Sequence, residues 1–238
     1  MGFKCRDFDD DLIYKEIYLE NGYKIKDEFE PNEVVVDIGM HIGCFSKLAL
    51  DNQCWHLLGF EPKLDNFKMA EKNLKDYMDG ECYIYHKGVW RSDTPKTKLH
   101  LGNRRLNIDN GGYDTFASSG EEVDSISLDD IIRQCGKIDL LKIDCEGVEF
   151  PILLTSKLLN TDTVYSIAGE YHEIGGNWDT LKIPEIAKID GYFKFTIDEL
   201  KEFFESKGYN FEYNRNRNER KIGYFWVTKK DGKQYFRP

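Results

Sequence analysis

The sequence predicts one α/β domain with a mainly parallel sheet and helices on both faces. Short apolar runs alternate with segments of helical period, which is the βα pattern. The last two strand-like runs flank a turn-like stretch, so the domain should close on an antiparallel pair. No repeat, low-complexity tract or linker divides the 238 residues, so residues 1–238 are expected to form a single domain. Within it, residues 1–32 read as an N-terminal extension and residues 33–238 as the core.

The elements follow in order. Glu33-Val34-Val35-Val36-Asp37-Ile38 is almost wholly apolar and ends at Gly39, as suits a strand buried on both faces. Residues 43–52 carry Phe45, Leu48 and Ala49 at helical spacing. Trp55 to Glu61 is a second strand, residues 64–78 a second helix with Phe67, Ala70, Leu74 and Tyr77 in register, and residues 81–87 a third strand. Residues 102–120, rich in Gly, Asn, Arg and Ser, read as a long surface loop, and residues 175–194 as a second irregular region. Between them lie a short helix at 127–134, a fourth buried strand at 138–144 and a fifth strand at 164–171. A helix at 197–207 and strands at 209–213 and 221–227 complete the chain. In such a sheet ligands sit at the carboxyl ends of the strands.

Composition narrows the function. Lys plus Arg number 33 against 43 Asp plus Glu, a formal charge of −10, the wrong sign for a protein held to nucleic acid by phosphate neutralisation. No apolar stretch is long enough to span a membrane, and Met1 to Asp7 lacks the pattern of a signal peptide or a myristoylation site. Six scattered cysteines without a C-x-x-C pair read as reduced thiols, so a cytoplasmic protein is expected.

Three strand ends carry the chemistry. After the first strand come Gly39 and Gly43, a tight βα turn. The dinucleotide fingerprint would need glycine where His41 and Cys44 stand, which argues against NAD or FAD. Glu61, 24 residues after Asp37 and followed by Pro62, is placed to accept both hydroxyls of a ribose. The fourth strand runs into Asp144-Cys145-Glu146-Gly147, delivering two carboxylates at alternate positions. The fifth ends Gly169-Glu170-Tyr171-His172-Glu173, so alternation brings Glu170 and His172 to the same place.

Taken with Gly88-Val89-Trp90 and Val123-Asp124-Ser125-Ile126-Ser127-Leu128-Asp129-Asp130, these segments resemble one family. The set Val36-Asp37-Ile38-Gly39-x-x-Ile42-Gly43-x-Phe45-Ser46, Phe60-Glu61-Pro62 and Leu141-Lys142-Ile143-Asp144-Cys145-Glu146-Gly147-Val148-Glu149 is similar to the FkbM-type S-adenosylmethionine-dependent methyltransferases, in the same order over residues 33–170. The departure is His41, where the family usually shows Asn. The resemblance implies a Rossmann-like, doubly wound, seven-stranded sheet in the order 3-2-1-4-5-7-6 with an antiparallel terminal strand. It implies S-adenosyl-L-methionine as cofactor and transfer to oxygen, commonly on sugars. By position, Asp37, Gly39, Met40, His41, Gly43 and Asp144 would surround the methionine half. Glu61 and Pro62 would hold the ribose, and His86 to Val89, with Gly88 and Val89 foremost, would edge the adenine.

In-line transfer to a hydroxyl gains from a positioned base. His172 is the candidate, with Asp144 and Glu146 orienting the acceptor or acting in its place. Asp144, Glu146, Glu170 and His172 are also hard ligands, and Asp144, Glu170 and His172 could hold a divalent metal such as Mg²⁺ or Mn²⁺. Acceptor contacts are expected from Glu170 and His172 and from the two irregular regions, through Asn103, Arg104, Arg105, Asn107, Tyr113, Asn177 and Trp178. Arg104 and Arg105 would suit the diphosphate of a nucleotide-activated sugar. Asp7, Asp9 and Asp11 imitate a calcium loop but lack its glycine and final glutamate, and read as a solvated stretch.

The expected function is therefore methylation of a carbohydrate hydroxyl on a nucleotide sugar or glycan precursor, with no nucleic-acid or membrane partner. The alternatives are metal-assisted O-methylation of another small metabolite, or an adenosyl-binding protein without turnover.

Overall fold

Seven strands stack edge to edge in the order β10-β11-β9-β8-β1-β2-β3, and four more build a smaller sheet, β4-β7-β5-β6. The strands are β1 (Val34–Ile38), β2 (His56–Phe60), β3 (Glu81–Tyr85), β4 (Gly88–Trp90), β5 (Lys98–Arg105), β6 (Tyr113–Asp114), β7 (Glu121–Ser127), β8 (Ile138–Ile143), β9 (Val164–His172), β10 (Tyr209–Tyr213) and β11 (Ile222–Lys229). Helices α1 (Phe8–Tyr14), α2 (Cys44–Asp51), α3 (Leu64–Leu74), α4 (Leu128–Cys135), α5 (Glu149–Leu154) and α6 (Ile197–Ser206) pack around them. This computed structural model describes residues 2–78, 80–105, 113–114, 120–173, 190–214, 222–230 and 232–237. Asn107, Asn177 and Trp178 lie outside the described residues, as do the side chains of Asn103, Arg104, Arg105 and Tyr113.

Counting only its own strands, the large sheet reads 3-2-1-4-5-7-6, with β11 antiparallel to both β9 and β10. The remaining pairs are parallel. The central strands are the apolar ones for a physical reason: helices cover both faces, so every residue of β8 and all but the first of β1 are buried. The four inserted strands are the difference from expectation. Residues 102–105 continue β5 and residues 113–114 form β6, so residues 102–120 are not simply a loop. Leu99, Leu101 and Val123 of this small sheet join the same apolar core as Ile38, Leu141 and Ile143.

Much of the family-like sequence serves the scaffold. Ser127 accepts the backbone N–H of Asp130 at 3.2 Å and caps α4. Asp129 is buried, accepting the Ser156 hydroxyl at 2.5 Å and the Leu158 N–H at 3.2 Å, which pins the turn after α5. The N-terminal extension is fastened to the far edge of the chain. The Tyr224 hydroxyl donates to Glu16 at 2.5 Å, the Trp226 indole to the Tyr23 carbonyl at 3.0 Å, and Ile25 bridges to Phe236. Among the described residues no helix is long and apolar enough to cross a membrane.

Gly169 marks where β9, β8 and β11 press together. A Cβ there would meet the Phe225 ring and lie 2.7 Å from the Ile143 carbonyl oxygen, both part of the packed sheet. Gly169→Ala is therefore expected to cost about 1–3 kcal/mol, read as a lower denaturant midpoint at unchanged m-value. A midpoint equal to that of the unmodified chain would refute this packing.

Candidate functional site

The strands β1, β2, β8 and β9 end along one rim, and there a cavity of about 600 Å³ opens. Its floor is built on a buried ion pair. Asp37 and Lys142 are register partners on β1 and β8, both essentially inaccessible, with Nζ 3.2 Å from the Asp37 carboxylate. The same ammonium donates to the Gly39 carbonyl at 2.6 Å, and Asp37 accepts the Ser46 hydroxyl of α2 at 2.6 Å. Burial alone would lower the Lys142 pKa, but the carboxylates of Asp37 and Asp144 reverse this and hold it charged. Gly39 turns here with φ +74, and any Cβ would collide with the Asp144 carbonyl, so only glycine lets β1 and β8 end this close.

One side of the cavity is shaped by Glu61, which is 5% exposed. Oε2 accepts the His41 N–H at 2.8 Å; Oε1 accepts the Lys63 N–H at 2.9 Å and the Asn66 amide at 3.3 Å. Oε2 keeps a free lone pair for a ligand hydroxyl. Burial pushes the Glu61 pKa up, with these donors pulling the other way. Beyond it Pro62, Gly88, Val89, Leu99 and Leu101 make an apolar wall, and His86 donates to the Pro62 carbonyl at 2.9 Å from outside the cavity.

The other side is acidic. Asp144, Glu146, Glu170 and His172 all line it, and ligating atoms of Asp144, Glu170 and His172 lie within 4.8 Å of one another. Tyr23, itself buried, donates to Asp144 at 3.0 Å. Glu146 occupies the left-handed region at φ +55, a strained conformation for a residue with a Cβ, and one that concentrates at functional sites. Burial and the neighbouring Asp144 and Glu149 raise its pKa to about 7, against the pull of His172. Glu170 is raised to about 8 by burial and by Asp144.

His172 does not sit as a free imidazole. Nδ1 lies 3.2 Å from Glu149 and Nε2 3.5 Å from Glu146. Burial would lower its pKa, but the charge and hydrogen bond of Glu149, then Glu146 and Glu170, carry it well above the usual imidazole value. The expected base is thus pushed toward its protonated form by the carboxylates around it, while Glu146 and Glu170 are raised to about 7 and about 8.

The expected cofactor residues divide. Gly39, Met40, His41, Glu61, Pro62, Gly88, Val89 and Asp144 do line the cavity. Asp37 and Gly43 do not: Asp37 lies beneath the turn with Lys142, and Gly43 backs onto Leu74 of α3, where a Cβ would sit 3.3 Å away. Of the expected acceptor residues, Glu170 and His172 face the cavity.

Sequence reasoning missed the wall formed by the N-terminal segment. Asp7 caps α1, Arg6 makes a two-pronged ion pair with buried Asp10 at 2.8 and 2.9 Å, and Ile13, Glu16 and Ile17 reach the cavity. The solvated acidic stretch is therefore half right. Asp7, Asp9 and Asp11 are exposed, but Asp10 is not, and Asp7 and Asp9 border the cavity. The signal was present in Asp7 as a helix cap, with Ile13 and Ile17 four residues apart.

A doubly wound sheet with a polar rim at these strand ends is the architecture of class I methyltransferases. A sequence model of the "Methyltransferase FkbM domain" matches residues 37–211, and the chain belongs to that family. The 31-O-demethyl-FK506 methyltransferase FkbM of Streptomyces tacrolimicus is 26% identical over 197 residues, covering 69% of this chain and 75% of that one. The crystal structure of methyltransferase FkbM from Methylobacillus flagellatus aligns with a TM-score of 0.52 at 16% identity, over 90% of this chain. This likeness is one of fold, and the chain spans about half (47%) of that protein's length.

The acidic rim sets a sign for pH dependence. Glu146 and Glu170 keep their protons to about 7 and about 8 when folded, against 4.5 otherwise, and His172 keeps its proton far past 6.5. In each case the folded chain binds more protons than the unfolded one, so stability falls as pH rises, from about 5 for the two glutamates and from about 6.5 for His172. The unliganded protein should melt at lower temperature at roughly pH 8.5 than at pH 5.5, and Glu170→Gln should flatten that slope. A slope that Glu170→Gln leaves unchanged would contradict the assignment.

Proposed function

We propose that this chain is an S-adenosylmethionine-dependent O-methyltransferase acting on a carbohydrate hydroxyl. The carrying observation is the placement of Glu146, with a pKa near 7, on the same cavity as the ribose-type acceptor Glu61. The cavity volume lies within the range of small-molecule sites. The cofactor's needs match the residues present: the bare backbone at Gly39, the free lone pair of Glu61, the apolar wall of Val89, Leu99 and Leu101, and acids for a cationic centre. The buried Nδ1 of His41 has no hydrogen-bond partner among the described residues and offers one more polar contact at that end. When bound, the cofactor supplies a methyl group activated on a sulfonium.

The protein's part is to hold the acceptor oxygen in line and remove its proton. Glu146 is the base we favour, because a base near pH 7 is both ionised and strong enough to act. Imidazolium His172 keeps Glu146 ionised when the acceptor approaches, and Asp144, held by Tyr23, orients the hydroxyl. The relative named for a 31-O-demethyl substrate supports oxygen as the accepting atom. Among the described residues the acceptor side carries Glu16, Asp144, Glu146 and Glu170, which favours a neutral glycan hydroxyl over a diphosphate-bearing sugar.

The test is labelled methyl transfer to a panel of neutral glycans and nucleotide sugars, with and without chelator. Transfer to the neutral acceptors that persists in chelator is expected. Loss in chelator would favour the metal-assisted alternative, and no transfer to any hydroxyl acceptor would favour a binding protein. In parallel, Glu61→Gln should weaken S-adenosylhomocysteine binding by roughly 10-fold or more, since it loses a charge-assisted hydrogen bond. Unchanged affinity would remove the ribose assignment.

A further inference from the structure

Glu149 is the first residue of α5 and fully buried, yet it belongs to neither the cofactor nor the acceptor wall. Both of its oxygens are engaged. Oε1 accepts the Cys145 N–H at 2.6 Å and faces His172 Nδ1 at 3.2 Å, while Oε2 accepts the Gly147 N–H at 2.8 Å. Two backbone donors from one turn make this a strong site for a carboxylate, because charge-assisted bonds replace the water it has lost. The same bonds hold the chain through Glu146 at φ +55 and Gly147 at φ +100, the kink that lifts the Glu146 side chain into the cavity.

We propose that Glu149 is a positioning residue for the transfer site, fixing His172 with its Nδ1 proton inward and Nε2 toward Glu146 while shaping the turn that presents Glu146. The inference rests on the proposed methyl transfer for its purpose, but not for its geometry. An inward carboxylate that sets the tautomer and orientation of a histidine is a general device of acid–base sites. Here the histidine is not the last member. Glu149, His172 and Glu146 form a row of alternating charge running from the core to the cavity. Among the described residues the other charged groups about the imidazole are Asp144, just past β8, and Glu170 on β9; β11 brings Ile222, which carries no charge, opposite it.

The role separates from ordinary stabilisation because it predicts the state of another side chain. The chain has five histidines, so labelling them gives few signals, and His172→Gln assigns the one that matters. In the full-length protein His172 is expected to carry a proton on Nδ1 that is hydrogen-bonded to Glu149 and slow to exchange. In Glu149→Gln that ring-nitrogen proton signal should shift or vanish, because the inner carboxylate acceptor is lost. Glu149→Asp, which keeps a carboxylate, should retain the signal if Glu149→Gln fails to fold. S-adenosylhomocysteine affinity should stay within about threefold in both variants, while turnover on an acceptor falls roughly 100-fold in Glu149→Gln. A His172 Nδ1 proton absent from the unmodified protein, or unmoved in Glu149→Gln, would overturn the proposal. Failure of the unmodified protein to bind S-adenosylhomocysteine would instead count against the methyltransferase reading, since the histidine signal does not depend on it.

Discussion

Lys142 carries an ammonium into the centre of the large sheet, between Asp37 of the neighbouring strand and the carbonyl of Gly39. A charge in that position is tolerable only when it is paired and hydrogen-bonded, and removing one partner of such a pair typically costs about 3–5 kcal/mol. The pair thereby ties the direction of β1 and β8 to the shape of the turn above them. Gly39 completes the constraint, since no side chain fits against the Asp144 carbonyl. Every group at the rim takes its place from this junction. Asp144 and Glu146 leave β8 just past it, His41 passes over it to meet Glu61, and His172 arrives on the strand beside it.

Two electrostatic environments then share one cavity. Glu61 accepts the Lys63 N–H and the Asn66 amide on one oxygen and keeps acceptor capacity on the other, a recognition site for hydroxyls. Across from it, Glu146 and Glu170 sit half-buried close to Asp144, and loss of solvent, with Asp144 beside them, lifts their pKa values. Carboxylates crowded in this way favour a cationic ligand between them and can take a proton near neutral pH. His172 stands among these acids, anchored from below by Glu149. The division between a binding half and a proton-handling half is what a group-transfer site requires.

Legibility in the sequence followed the kind of burial. β1 and β8 are covered on both faces, so Val34 to Ile38 and Ile138 to Ile143 stand out as apolar runs, and the strand order followed from them and from the resemblance. The small sheet was illegible because only one face of it is buried. Glu121, Glu122 and Asp124 alternate with Val123, which looks like a polar connection until β5 pairs alongside. Glu61 and the acids Asp144, Glu146, Glu170 and His172 were readable as residues at strand ends. Asp37 misled because an acid in an apolar strand suggests a ligand contact, when its partner was Lys142, 105 positions away and itself hidden in an apolar run. The protonation of His172 could not be read at all, since it depends on Glu149 meeting the end of β9 from another element. The N-terminal wall was discounted for its charge, although Asp10 is neutralised by Arg6 and turned inward.

The most direct measurement of the central claim is a crystal structure with S-adenosylhomocysteine bound. The account predicts the ribose hydroxyls on Glu61, the base against Val89 and Leu99, and the thioether facing Asp144 and Glu146. A ligand seated elsewhere, or one in this cavity with its sulfur turned away from those acids, would contradict it.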